Sequence, residues 1–363
     1  MTAPTFSRVV SELPSTVPFV APEAIERRCG RPFKLRLGAN ESAFGISQKA
    51  EAAMVAAAPS VAYYGDPESY ELRAEIARVH KTAQENVLVG SGIDDLFGLI
   101  AHVFLNPGEV AVTSLGSYPT FRYFVAGYGG EVLTAPYREY WADLSRLLDE
   151  VKRSGARLLY LANPDNPTGT CHSGEALRRL IEQLPEDCVL ILDEAYIDFV
   201  PSQEALPVAC DDPRVIRLRT FSKAHGMAGM RIGYALASRE TIAAFNKVRI
   251  QFGVNRLAQV GALASLKDPA FVQGVVEEVE RGRGEYRDLG GEVGVPTLPS
   301  WTNFVSFDLV TKDRVRRVMD ALAKRDVFVR TGAPPLDHLV RVTVGTKPER
   351  AAFATVFREV IAG

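Results

Sequence analysis

Cysteine is scarce in this chain of 363 residues: Cys29, Cys171, Cys188 and Cys210 lie far apart and form no C-x-x-C pair. Such spacing argues against a disulfide framework and a cysteine zinc site, and it suits a reducing, cytoplasmic compartment. The five histidines, His80, His102, His172, His225 and His338, make neither an H-x-H nor an H-x-x-x-H, so no metal site is expected. No apolar run reaches the length of a membrane helix, and "MTAPTFSRVVSELPSTVPFV" holds no leader-like apolar stretch. Nor is one charge in excess: 42 Lys plus Arg stand against 44 Asp plus Glu, a net of −2. That balance argues against a broad nucleic-acid face and leaves room for a small basic pocket. Internal repeats and low-complexity tracts are missing too, so the organisation must come from alternating strand and helix signals.

The chain exceeds one ordinary core, which implies a large domain and a smaller one. Hydrophobic residues at 47% and charged ones at 24% are the proportions of a soluble globular protein. Seven short apolar or β-branched runs follow one another: "NVLVG" (86–90), "EVAVTS" (109–114), "EVLTAP" (131–136), "RLLYLAN" (157–163), "CVLILDE" (188–194), "VIRLRTFS" (215–222) and "RIGYALAS" (231–238). Helical patterns such as "DDLFGLIAHVFL" and "GEALRRLIEQL" separate most of them, which indicates an α/β sandwich around a mostly parallel sheet. The tail, with "NFVSFDL", "VFVRTG" and "LVRVTVG" among helical stretches, reads as a small α+β domain. The expected division is an N-terminal segment, 1–35, packing on the small domain; a large domain, 36–255; and the small domain, 256–363, entered through a linking helix over roughly 256–289.

In such sheets ligands bind beyond the carboxyl ends of the strands. Gly92, Ile93 and Asp94 follow "NVLVGS" and open a helix whose free N–H groups suit a phosphate. Tyr118 follows "EVAVTSLGS", Asn166 lies in "NPDNPTG", Asp193 and Tyr196 end "VLILDEAY", and Ser222 and Lys223 end "RLRTFSK". Eight residues after Lys223, beyond Gly226 and Gly229, comes Arg231. A strand-end lysine is more often a surface charge, and Asn-Pro alone is turn chemistry. Together, however, one lysine, one near-buried carboxylate, an aromatic and several phosphate donors meet the needs of pyridoxal phosphate. That cofactor requires a Schiff-base amine, a partner for its pyridine nitrogen, a flat neighbour for its ring and a cradle for its phosphate dianion.

The motifs "LGANESAFG", "GSGIDDL", "NPDNPTG", "DEAY" and "SKAHGMAGMRIGY" together resemble the fold-type I pyridoxal-phosphate aminotransferases, in particular the histidinol-phosphate aminotransferase-like group. The resemblance implies a large domain with a seven-stranded, mainly parallel sheet, a small C-terminal domain, and a homodimer with sites at the subunit interface. By position, Lys223 looks like the Schiff-base lysine and Asp193 like the pyridine partner. Asn166, or Tyr196 through its hydroxyl, would bond the phenolic O3′. Ser222, Arg231 and the N–H groups at Ile93 and Asp94 would hold the phosphate. Tyr118 falls where the family places its ring-stacking aromatic, with Phe121 as the rival. Tyr64, in "AYYGDPESYELR", resembles the tyrosine that reaches the neighbouring subunit's phosphate. Asn40 would touch substrate, Arg341 resembles the arginine for the substrate's anionic end, and Arg330 resembles an accessory one. His225 reads as structural or as lining of the phosphate loop.

The implied reaction is transamination between an amino donor and a 2-oxo acid such as 2-oxoglutarate. Lys223 would carry the proton, with burial and a nearby cation lowering its pKa. The donor is histidinol phosphate or an aromatic or other amino acid. Two departures bear on that choice: "ESAFGISQ" replaces a proline-rich family stretch, and Phe19 stands where a substrate-facing tyrosine is common. A threonine-phosphate decarboxylase-like enzyme on the same fold is the alternative, and a regulatory module that binds pyridoxal phosphate is a distant third.

Overall fold

The computed structural model describes residues 4–14, 21–207 and 209–363, so Phe19 lies outside the described residues. The seven apolar runs form the seven strands of one sheet: β1 (Val87–Gly90), β2 (Val110–Ser114), β3 (Glu131–Ala135), β4 (Leu158–Ala162), β5 (Val189–Asp193), β6 (Val215–Thr220) and β7 (Gly233–Leu236). Their order in space is β1-β7-β6-β5-β4-β2-β3. β7 runs antiparallel to both its neighbours, and the remaining pairs are parallel.

Alternation along each strand divides its side chains between two apolar layers. Leu158, Tyr160 and Ala162 join a cluster with Phe97, Phe121 and Phe245. Leu159 and Leu161 join the other, with Leu147, Leu180 and Leu190. Covered on both faces, β4 and β5 are buried throughout, which is why they read as unbroken apolar runs. The strand order reverses between β2 and β4, and the loops leaving their carboxyl ends diverge there to open a crevice.

A second, three-stranded antiparallel sheet orders Phe304–Asp308, Leu339–Thr343 and Arg330–Thr331. The helices Pro269–Glu292 and Lys347–Ala362 pack on it through Val279, Tyr286, Phe353 and Phe357. No helix among the described residues is long and apolar enough to cross a membrane.

Three expectations need correction. β7 begins at Gly233 rather than Arg231, because Arg231 adopts a left-handed φ of 53° and still belongs to the loop. The single helix expected over 256–289 is two, Arg256–Leu266 and Pro269–Glu292. Asp268 precedes a proline, whose ring disfavours helical backbone at that position, and it sits at φ −127°, ψ 61°. The packing changes at the break: Ala258 and Ala262 join Met227, Ile232 and Tyr234 beside the large sheet, whereas Val275 and Val279 join the C-terminal core. Nor does the N-terminal segment pack on the small sheet as one body. The Arg8–Glu12 helix lies against Pro119–Gly127, where Val9 fills the space beside the bare Cα of Gly129. Leu35–Arg36, by contrast, pairs with Val327–Phe328, and Arg31 Nε lies 3.0 Å from Asp326 Oδ1.

Candidate active site

Lys223 marks the seam between two cores. Phe221 belongs to the cluster beside the large sheet, and Ala224 belongs to the C-terminal one. A cavity of about 550 Å³ opens between them. The Lys223 Nζ donates to the Asn40 carbonyl at 3.0 Å and lies 5.6 Å from the centre of the Tyr196 ring. Burial, and after it the neighbouring Arg341, push the amine down to about 8. Asn40 adopts a left-handed φ of 54°. Its N–H donates to Thr343 Oγ1 at 3.0 Å, and its Nδ2 donates to Tyr196 Oη at 2.8 Å. The lysine's acceptor is thereby tied to the C-terminal sheet.

β5 delivers Asp193 to the cavity floor. Its Oδ2 accepts from Tyr160 Oη at 2.8 Å, and its Oδ1 accepts from the Ala195 N–H at 3.0 Å. Burial nonetheless pushes the carboxyl up to about 6. Glu194, next in the chain, serves the scaffold instead. It accepts from Arg217 Nε at 3.0 Å and from Arg219 Nε at 2.9 Å. Burial alone would raise its carboxyl, but the two guanidinium groups hold it below the ordinary value. Of two adjacent acids, one thus lines the cavity and the other pins the turn behind it.

At the other end stand donors for an anion. The Ile93–Phe104 helix starts from Gly92 (φ 91°), and Ile93 and Asp94, in its first turn, line the cavity. Unpaired N–H groups and the helix dipole favour negative charge at such a terminus. Thr220 Oγ1 donates to Ser222 Oγ at 2.9 Å. The chain then turns at Gly226 (φ 72°), where a methyl group would overlap the Gly45 carbonyl oxygen. It returns at Arg231, whose guanidinium lies so close to Gly92 that a Cβ there would come within 2.7 Å of Nη2.

Tyr118 walls one side, with its Oη donating to Asp94 Oδ1 at 3.3 Å. Asn166 walls the other side and accepts from Arg341 Nη1. Arg341 Nη2 donates to the Gly38 carbonyl at 3.1 Å, while its buried Nε has no hydrogen-bond partner among the described residues. Directly across the strand pair, in register with Arg341, stands Arg330.

The sequence matches the family described as aminotransferase class I and II over residues 33–357. This chain belongs to the class I and II aminotransferases. It is 34% identical to histidinol-phosphate aminotransferase 2 of Carboxydothermus hydrogenoformans, over 98% of each chain. It is 32% identical to a histidinol-phosphate aminotransferase of Moorella thermoacetica, over 99% of this chain and 94% of that one. Among solved structures, the histidinol-phosphate aminotransferase of Sinorhizobium meliloti in complex with pyridoxal-5′-phosphate superposes with a TM-score of 0.96 at 38% identity, covering 99% of this chain and 98% of that one.

Aminotransferases of this family use pyridoxal phosphate, and the cavity suits that group on its own chemistry. A buried amine held near neutrality, a buried carboxylate with lone pairs to spare and an anion cradle at a helix terminus share one space large enough for a cofactor and a small substrate. Of the residues singled out in the sequence, twelve line this aminotransferase's cavity: Asn40, Ile93, Asp94, Tyr118, Asn166, Asp193, Tyr196, Ser222, Lys223, Arg231, Arg330 and Arg341. Gly92 stands just behind, under Arg231. Tyr64 is not brought in; it is 76% exposed, its ring 4.7 Å from that of Phe252. Phe121 is buried against the Tyr160 ring and leaves the cavity wall to Tyr118. His225 points at Ser265, with Nδ1 2.7 Å from its Oγ, and does not line the cavity. Sequence reasoning passed over Tyr160 and Thr220. Their signal was a hydroxyl inside an otherwise apolar strand and another two residues before Ser222.

Proposed function

We propose that this aminotransferase moves the amino group of histidinol phosphate to a 2-oxo acid such as 2-oxoglutarate, with Lys223 as the Schiff-base lysine and proton carrier. Bound pyridoxal phosphate supplies the electron sink for the amino-bearing carbon. Asp193 would keep a proton on the cofactor's pyridine nitrogen by charge proximity, and Tyr118 would be the flat neighbour of the ring. Asn166 or the Tyr196 hydroxyl would bond the phenolic oxygen. Ser222, Arg231 and the N–H groups of Ile93 and Asp94 would hold the phosphate, with Gly92 giving Arg231 the room to approach. The neutral Lys223 amine takes the proton from the substrate's Cα and returns it one carbon away. An amine lowered to about 8 is available in neutral form to a useful fraction at physiological pH.

The register of the C-terminal sheet supports the substrate reading most directly. Arg330 and Arg341 face each other across an antiparallel pair, an arrangement that like charges oppose. Among the described residues Arg341 bonds only uncharged acceptors, Asn166 Oδ1 and the Gly38 carbonyl, and burial, with Arg330 adding to it, disfavours its charge. A strongly anionic substrate group relieves both penalties. A phosphate on the donor and a carboxylate on the acceptor each provide one, and Asn40 bounds the same end of the cavity. In a donor panel against 2-oxoglutarate, histidinol phosphate should exceed phenylalanine and tyrosine in kcat/KM by at least about tenfold. A preference for an aromatic amino acid would reverse the assignment, and carbon dioxide release without a 2-oxo acid would replace transamination by decarboxylation.

The enzyme acts as a cytoplasmic homodimer in which Tyr64 reaches the cofactor phosphate of the second copy. Supporting this, Tyr64 and Phe252 are both exposed with their rings 4.7 Å apart, and Val61, Tyr63 and Ile250, close to one or the other in the chain, are exposed as well. Surfaces of that kind mark protein contacts. Light scattering should give twice the chain mass, and Tyr64→Phe should keep that mass while weakening cofactor binding about tenfold. A fully active monomer would overturn both statements.

A further inference from the structure

We infer that Tyr160 is a positioning residue, whose hydroxyl holds Asp193 in the charged, correctly turned form that keeps the proton on the cofactor's ring nitrogen. The inference rests on the reading of Asp193 as the ring-nitrogen partner. Neither the family's motifs nor the sequence singled Tyr160 out.

Its placement follows from the sheet. β4 and β5 are parallel neighbours in which Ala162 pairs with Asp193, so Tyr160, two residues back on the same face, reaches Asp193 along the diagonal. Tyr160 Oη donates to Asp193 Oδ2 at 2.8 Å, and the Ala195 N–H holds Oδ1 at 3.0 Å. Two fixed donors on two oxygens set the carboxylate's plane, and they leave lone pairs free toward the cavity that Asp193 lines. The phenol ring itself is clamped. Phe121 stacks on it at 4.7 Å and 15°, and Phe97 meets it edge-on at 5.5 Å and 84°.

A donor on a carboxylate stabilises the ionised form over the neutral one. Asp193 needs that help, because its other neighbours oppose its charge: burial above all, then Asp94 on the Ile93–Phe104 helix and Glu194 beside it in the chain. The phenols of Tyr118 and Tyr196, bonded to Asp94 and Asn40, lie within reach of its charge. Burial and the carboxylate together keep the Tyr160 phenol protonated, so it remains a donor across the working pH range. Asp193 and the ring nitrogen share one proton. Without the Tyr160 hydroxyl the carboxyl would be more basic, and the shared proton would shift part of the way from nitrogen toward oxygen.

The test reads that proton rather than the rate. Protein reconstituted with pyridoxal phosphate labelled with nitrogen-15 at the ring is compared as wild type, Tyr160→Phe and Asp193→Asn, following the ring-nitrogen chemical shift. Wild type should report a protonated nitrogen and Asp193→Asn an unprotonated one. Tyr160→Phe, which keeps the ring on Phe121, should lie between them, its proton distribution moved about tenfold toward the carboxyl. A Tyr160→Phe protein that binds cofactor less well but keeps the wild-type shift would show a merely structural tyrosine and overturn the inference. Identical shifts in wild type and Asp193→Asn would instead remove Asp193 as the ring partner, and the role of Tyr160 with it. If Tyr160→Phe does not fold, Phe121→Leu, which loosens the phenol's seat, should move the shift the same way by less, and no movement there would overturn the inference.

Discussion

Replacing Lys223 with alanine should leave a folded protein whose transamination falls by about 10⁴-fold or more, the scale expected when a nucleophile and a general base are lost together. Lys223 makes one hydrogen bond, to the Asn40 carbonyl, which Asn303 Nδ2 also satisfies at 3.0 Å. The scaffold therefore loses little when the amine goes. Among the described residues no other lysine lines the cavity, so none there can substitute for it. Single-turnover experiments with a saturating amino donor separate the two losses: added methylamine replaces a missing base, but it does not restore covalent attachment to the protein. The wild-type amine also sets a pH dependence. Only the neutral form attacks an aldehyde, so the rate at which cofactor-free protein captures pyridoxal phosphate should rise about tenfold per unit below pH 8. It should level off above that, where the amine has lost its proton. A Lys223→Ala enzyme with more than about a hundredth of the wild-type turnover would exclude the lysine from both roles.

Asp193→Asn should separate function from stability in opposite directions. Turnover should fall by about a thousandfold, because a neutral amide no longer favours a proton on the ring nitrogen. The cofactor-free protein should become more stable at neutral pH. Burial raises this carboxyl from 3.8 to about 6, so the folded state binds its proton more tightly than the unfolded chain does. Stability from that group is present at low pH and is lost as pH rises between those two values, leaving a cost of about 3 kcal/mol at neutrality. Asparagine is nearly the same size, can still accept from Tyr160, and carries no charge to bury. Thermal denaturation at pH 5 and pH 8 checks the sign: the advantage of Asp193→Asn should be larger at pH 8. An advantage confined to pH 5 would mean that Asp193 is not strained by burial.

What could be read from the sequence was local, and what could not was made by distant contacts. The seven strands announced themselves because a sheet covered on both faces needs unbroken apolar runs, and the central parallel runs end where a polar residue meets the crevice. Asp193 and the Ser222–Lys223 pair were legible for that reason. Nothing local marks Asn40, since its grip on Lys223 depends on Thr343, Tyr196 and Asn303, which lie 156 to 303 residues further along the chain. Phe121 and Tyr118 could not be ranked without knowing that Tyr160 claims the first. For His225, inside the lysine loop, the choice between a structural role and lining of the phosphate loop turns on Ser265, forty residues away on the Arg256–Leu266 helix. Pro269 marks the break after that helix locally, while the apolar pattern continues across it.

The close approach of Gly226 to Gly45 has a consequence for shuffling this chain with its relatives. Residues 181 positions apart press two backbones together so closely that Gly226 has no space for a methyl group against the Gly45 carbonyl, and both hold left-handed conformations. Any recombination joint between positions 46 and 225 draws one of those backbones from each parent. Such hybrids should fold only when both parents trace the same path at the two glycines. Joints placed before Gly45 or after Gly226 inherit the contact whole.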